Sequence, residues 1–209
     1  MKSLVTFFVF IALMALSISA KAQNVVIKAD LEDISYLDRH PIYDYNKDHI
    51  SSTDSIPDFE GKNQKLKITG TIYKSDGKTP ASDVIMYIEH ADEDGDFDLR
   101  KLNDKRYTHH RGWIKTNASG QYAFYTFIPG GDRRYNQLQQ LFPTIKEEAN
   151  EFYNLESFLF DSDPLLTKAC RKKIQKKGDV SRILKPIKQG DLLVVEKDIV
   201  LESSVLASN

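Results

Sequence analysis

Histidines, tyrosines and clustered carboxylates are the residues of this chain whose chemistry reaches beyond packing. The acidic loop Asp92-Glu93-Asp94-Gly95-Asp96-Phe97-Asp98 groups enough oxygen donors to interest a hard cation such as calcium. Its spacing opposes the calcium-hand version: with Gly95 at the obligatory turn, the first ligand would be His90 and the bidentate acid would be Lys101. A solvated acidic turn is the better reading. His109-His110 sets two imidazoles side by side, but in an extended chain neighbouring side chains point to opposite faces, so the pair meets on one ion only across a kink. No His-x-His, His-Glu-x-x-His or Cys-x-x-Cys spacing occurs, and the 5 histidines (40, 49, 90, 109 and 110) all precede residue 111. No glycine-rich phosphate loop follows a strand and no Gly-x-Ser-x-Gly elbow is present, which leaves nucleotide binding and serine-hydrolase chemistry unsupported. Cys170 is the single cysteine, so no disulfide can form within the chain, and it reads as a half-buried helix residue.

Alternation and turn chemistry define the strands and turns that carry these residues. Residues 66–73 alternate with period two before the turn Ser75-Asp76-Gly77-Lys78, and residues 84–90 form a second, β-branched and aromatic strand. Residues 111–128 read as a β-hairpin about Asn117-Ala118-Ser119-Gly120, and the polar segment from the acidic loop to His110 as irregular. Residues 152–160 offer a further strand. A helix is expected from Asp163 as N-cap, with Pro164 at its first position, to Lys177, ended by Gly178 and with its late Lys and Arg residues complementing the dipole. Residues 192–201 give a last strand. The fold class is therefore all-β, an antiparallel β-sandwich with one short accessory helix.

Lys2, an apolar run over residues 4–18 and the small-x-small site Ala20-Lys21-Ala22 mark residues 1–22 as a signal peptide, so the protein is expected to be exported to the periplasm or beyond. That run falls short of the ~20 residues a spanning helix needs, so no stable membrane anchor is expected. Residues 23–60 follow as a polar, tyrosine-containing arm, and residues 61–209 as the domain. Without the leader, 27 basic residues stand against 30 acidic ones, a balance that supplies no reason to expect nucleic acid or an anionic membrane as partner.

Taken in order, Gly70-Thr71-Ile72-Tyr73, Asp76-Gly77-Lys78-Thr79-Pro80-Ala81, Val84-Ile85-Met86-Tyr87-Ile88 with His90 and Gly95, Arg111-Gly112-Trp113-Ile114-Lys115-Thr116 with Gly120-Gln121-Tyr122, and Thr126-Phe127-Ile128-Pro129 resemble the catalytic domain of intradiol ring-cleavage dioxygenases. The later block Phe158-Leu159-Phe160-Asp161-Ser162-Asp163-Pro164-Leu165-Leu166-Thr167 looks like an exported, Bacteroidetes-type branch of that family. The resemblance spans about residues 61–201 and implies a β-sandwich. It also implies a non-haem ferric ion, held by two tyrosines and two histidines, that activates a catechol dianion for oxygen insertion between the two hydroxyl-bearing carbons.

Carried over position by position, the first tyrosine falls on Phe97, the second on Asp132, and the histidines of a Pro-Ala-His-x-His motif on Gln140 and Phe142. All four depart from the pattern. Phe97 and Phe142 have no donor atom, Gln140 is a weak neutral oxygen donor, and only Asp132 suits a hard cation. The expectation is an exported, non-catalytic relative without the family's Fe(III), acting as a binding or scaffold module for an aromatic or glycan-like small molecule or a protein partner. Phe97, Phe142 and Tyr135, with Arg133 and Arg134 beside them, would supply stacking and cation–π contacts. The alternative is a working dioxygenase with a rearranged iron site drawn from Tyr107, His109, His110, Asp132 and Tyr135.

Overall fold

Residues 35–148 and 150–203 are described by the computed structural model; the expected signal peptide and residues 23–34 of the arm lie outside them. The chain divides into two units, Met1–Arg39 and His40–Asn209. In the first, the N–H groups of Asp38 and Arg39 donate to the Ser35 carbonyl in a turn. The second unit takes in residues 40–60 of the arm together with the β-sandwich. Among the described residues no helix is long and apolar enough to cross a membrane.

Two sheets face each other. The first orders β1 (Thr53–Ser55), β7 (Gln121–Phe127), β2 (Lys65–Tyr73), β13 (Leu192–Glu196) and β12 (Ile187–Gln189), with β14 (Ile199–Val200) also on β2. The second orders β11 (Ile183–Leu184), β10 (Phe158–Phe160), β8 (Gln140–Lys146), β3 (Ile85–His90) and β6 (Arg111–Lys115), with β9 (Tyr153–Asn154) on β8. Period-two alternation turns Leu66, Ile68, Ile72 and Phe124 of the first sheet onto Met86, Ile88, Ile114 and Ile145 of the second, and these residues share one buried core. The β-sandwich with its single described α-helix is as expected. Four pairings, β1 with β7, β13 with β2, β14 with β2 and β10 with β11, are parallel.

Residues 111–128 do not form a hairpin. β6 pairs with β3 and β7 pairs with β2, so the turn at Gly120 (φ +70°) carries the chain from one sheet to the other. Residues 51–56 fill the edge that this crossing leaves. Lys115 N–H donates to Ser51, Ala123 N–H to Ser52, and Ile56 N–H to Tyr125. Between the sheets, the Asp54 carboxylate accepts from Trp113 N–H at 2.7 Å, and burial pushes its carboxyl pKa above the ordinary range. Gly112 permits this approach: a Cβ there would lie 2.5 Å from the Phe124 ring and 2.8 Å from the Asp54 oxygen. Upstream, His40 stacks on Phe152 at 4.1 Å and Trp113 donates from its indole to the Pro41 carbonyl, which seats the start of the unit on the second sheet.

Three further expectations are corrected. The segment read as irregular contains a two-stranded hairpin, β4 (Leu99–Leu102) with β5 (Lys105–Thr108), turned by Asn103 and Asp104 in left-handed conformations. β8 covers residues 140–146, to which the sequence reading assigned no element; Pro143 hides it, because proline lacks the ladder donor. The structure accommodates that proline with a bulge: Asn154 faces Thr144 and Phe158 faces Leu141, four residues against three. Finally, α1 (Lys168–Lys177) is capped by Thr167, whose hydroxyl accepts from Cys170 N–H, rather than by Asp163. The Asp163 carboxylate is engaged earlier, by the N–H groups of Leu165 (2.7 Å) and Gln139 (2.8 Å). Gly178 closes the helix as expected.

Candidate functional site

The acidic loop and the segment after β7 are clamped together. Asp92 organises the loop, one of its carboxylate oxygens accepting from the N–H groups of both Asp94 (2.9 Å) and Asp96 (3.0 Å). Gly130 N–H donates to the Asp92 carbonyl, and a Cβ on Gly130 would stand 2.3 Å from the Glu93 carbonyl oxygen, so only glycine allows the two backbones this contact. Asp132 and Gln137 exchange both backbone hydrogen bonds at 2.9 Å, and the Gln137 amide donates to the Gly95 carbonyl at 2.8 Å.

This frame places all four positions that the resemblance assigns to iron ligands. Phe97 and Phe142 meet ring to ring, centroids 5.9 Å apart. Asp132 is buried and bound to Arg134: its oxygens accept from the Arg134 backbone N–H and from the guanidinium, each at 2.7 Å, and this pairing holds its carboxyl pKa below the ordinary range. The Gln140 side-chain oxygen accepts from the Ser157 hydroxyl at 3.0 Å, while Arg182 donates to both the carbonyl and the hydroxyl oxygen of Ser157. Tyr135 stands 78% exposed, with the Arg134 guanidinium 5.7 Å from its ring; Arg133 is exposed beside them.

The histidines behave differently from an extended pair. Arg111 N–H donates back to the His109 carbonyl, a kink that brings the His109 and His110 rings to 5.1 Å. His110 stacks almost parallel on His90 at 5.6 Å, and both meet the Phe127 ring edge-on. His90 is fully buried. One of its nitrogens faces the Ala91 carbonyl and the other the Thr126 hydroxyl, each at 2.6 Å, which requires the proton on Nδ1. Burial lowers its pKa to about 3, so the ring is neutral at physiological pH. Burial also lowers the pKa of His110, whose Nδ1 has no hydrogen-bond partner among the described residues. His109 binds the Asp58 carboxylate at 2.8 Å, and Tyr107 lies under the Arg111 guanidinium at 3.7 Å. Among the described residues no group of three or more His, Cys, Asp and Glu side chains is arranged to hold a metal ion. Sequence reasoning named neither Ser157 nor the Asp132–Arg134 pairing, since contacts across a loop leave no periodic signal.

No protein-family model and no curated protein sequence matches the chain. Solved structures do. The dioxygenase domain of a dioxygenase carbohydrate-binding protein fusion from Streptomyces sp. SirexAA-E matches with TM-score 0.56 and 18% identity, over 76% of this chain and 92% of that one. This chain has the intradiol dioxygenase fold. An intradiol ring-cleavage dioxygenase from Tetranychus urticae matches over 72% of this chain and 85% of that one, with TM-score 0.51 and 18% identity. Catechol 1,2-dioxygenase from Acinetobacter sp. ADP1 matches with TM-score 0.53 and 14% identity, over 72% of this chain but 57% of that one. At the four positions that the resemblance assigns to iron ligands, the residues present do not suit a ferric ion: two are hydrocarbon rings, one is a neutral amide held by a serine, and one is a carboxylate neutralised by arginine. Clefts of about 340 and 440 Å³, with Thr69 and Glu196 among the residues lining both, involve none of these positions.

Proposed function

We propose that the chain is an exported, non-catalytic module that keeps the intradiol dioxygenase scaffold and uses it for binding. The observation that carries this reading is the engagement of the four ligand positions with protein partners: Phe97 with Phe142, Asp132 with Arg134, Gln140 with Ser157. A ferric site there would need anionic and imidazole donors. The exposed edge of Phe97, with Tyr135 and the two arginines on the neighbouring loop, suits a planar aromatic or a sugar ring, through stacking and cation–π contact. No cofactor is needed for that role.

One observation favours the rival reading, a rearranged ferric dioxygenase: the approach of His109 to His110, whose Nδ1 lacks a partner among the described residues. Against it, Tyr107 is covered by Arg111, Asp132 is bound to Arg134, and Tyr135 points into solvent. Supplied with ferric ion, catechol and oxygen, the purified chain is expected to produce no ring-opened dicarboxylate above an iron-only control. Turnover above that control, lost in a His109→Ala/His110→Ala variant, would establish the rival.

A further inference from the structure

Over the whole chain the charges balance, 29 basic against 30 acidic, but along it they segregate. Residues 168–188 hold nine of the basic residues and a single acid, Asp179. At the centre of this segment lies α1, with six basic side chains in ten residues and no acid. At about 100° per residue, Lys168, Lys172, Lys176, Lys173 and Lys177 fall on one half of the helix, with Ala169 between them, and Cys170, Ile174 and Arg171 fall on the other. Burial follows the same division: Cys170, Arg171 and Ile174 are half-buried, whereas the five lysines and Ala169 are exposed. Arg171 is held by Asp161 and the Leu166 carbonyl. Among the described residues none of the five lysines has an acidic partner.

The helix dipole accounts for Lys176 and Lys177 in the last turn. It opposes Lys168 in the first turn, and Lys168, Lys172 and Lys176, like Lys173 and Lys177, repel at four-residue spacing. A ten-residue helix is marginal on its own, and an ordinary solvated face intersperses both signs. We propose that this half of α1 docks on an anionic phospholipid surface. The face is convex and carries no aromatic side chain, whereas sites for nucleic acid or other linear polyanions combine a groove with stacking platforms. Ala169, the smallest side chain, sits near the middle of the lysine arc, so the backbone can approach a plane while the flanking lysine stems bend down to it. Val180, 51% exposed just beyond the helix, adds a small apolar contact. The attachment is peripheral and electrostatic, each lysine strengthening it roughly fivefold, with no insertion.

Sedimentation of the full chain with vesicles of phosphatidylglycerol mixed into phosphatidylcholine tests this. Binding is expected to the mixed vesicles and not to phosphatidylcholine alone, and to fall as salt shortens the screening length. Lys172→Gln/Lys173→Gln/Lys176→Gln, all exposed positions, should weaken it on the order of 100-fold while leaving the melting temperature in place. The proposal is overturned by equal binding to both vesicle types, by no binding at low salt, or by undiminished binding of the folded triple variant. It is also overturned if dextran sulfate at matched charge captures the chain more tightly than the vesicles do, which would reassign the face to a soluble polyanion.

Discussion

Adding a single methyl group, Gly70→Ala, is expected to lower the unfolding free energy by about 2–4 kcal/mol. Gly70 lies in β2 where its partner changes from β13 to β14, and there the Lys197 carbonyl leans over the strand. An added Cβ would sit 2.1 Å from that oxygen, a backbone atom that cannot swing aside. Tyr122, directly across from Gly70 on β7, reaches over the glycine and donates its hydroxyl to the same carbonyl at 2.6 Å. The variant must therefore move a strand and lose a buried hydrogen bond. Denaturant unfolding reads the difference; a change below about 0.5 kcal/mol, the usual range for benign surface substitutions, would show that the crossing is not held as described.

Phe124→Ala is expected to cost about 3–5 kcal/mol. Its ring is fully buried, belongs to the shared core, and presses on Gly112 where the chain crosses between sheets. Truncation opens a void beneath β6, and because Asp54 bridges the same place, the surroundings have little freedom to collapse into it. For a chain of this length the melting temperature should drop by roughly 6–20 °C. A drop within about 2 °C would mean that the ring is not part of the core that joins the sheets.

Much of this fold was legible in the sequence where a single strand carries its own evidence. Residues 66–73 and 84–90 alternate or run apolar, and both are strands, because burying one face is a local property of the pattern. Pairing is not local. Nothing in residues 111–128 distinguishes a hairpin from an arch; that choice depends on residues 51–56, a long way off in sequence, taking the edge of both strands. β8 was hidden by Pro143, whose missing donor is tolerated through a bulge on another strand. Asp163 carries the composition of a helix cap, but a backbone N–H from residue 139 competes for it. At the site, the residue types told more than the pattern did: the absence of donors at Phe97 and Phe142 is written in the chain, while the partners that engage Asp132 and Gln140 emerge only when the loops are folded.

Whether the scaffold persists without the ferric centre is decided by a ferric titration followed by visible absorption and metal analysis. The purified chain should remain colourless, retain no stoichiometric iron after desalting, and show no change on conversion of Tyr107 or Tyr135 to phenylalanine. One equivalent of tightly held iron with a tyrosinate-to-iron absorption band, abolished by either substitution, would contradict it.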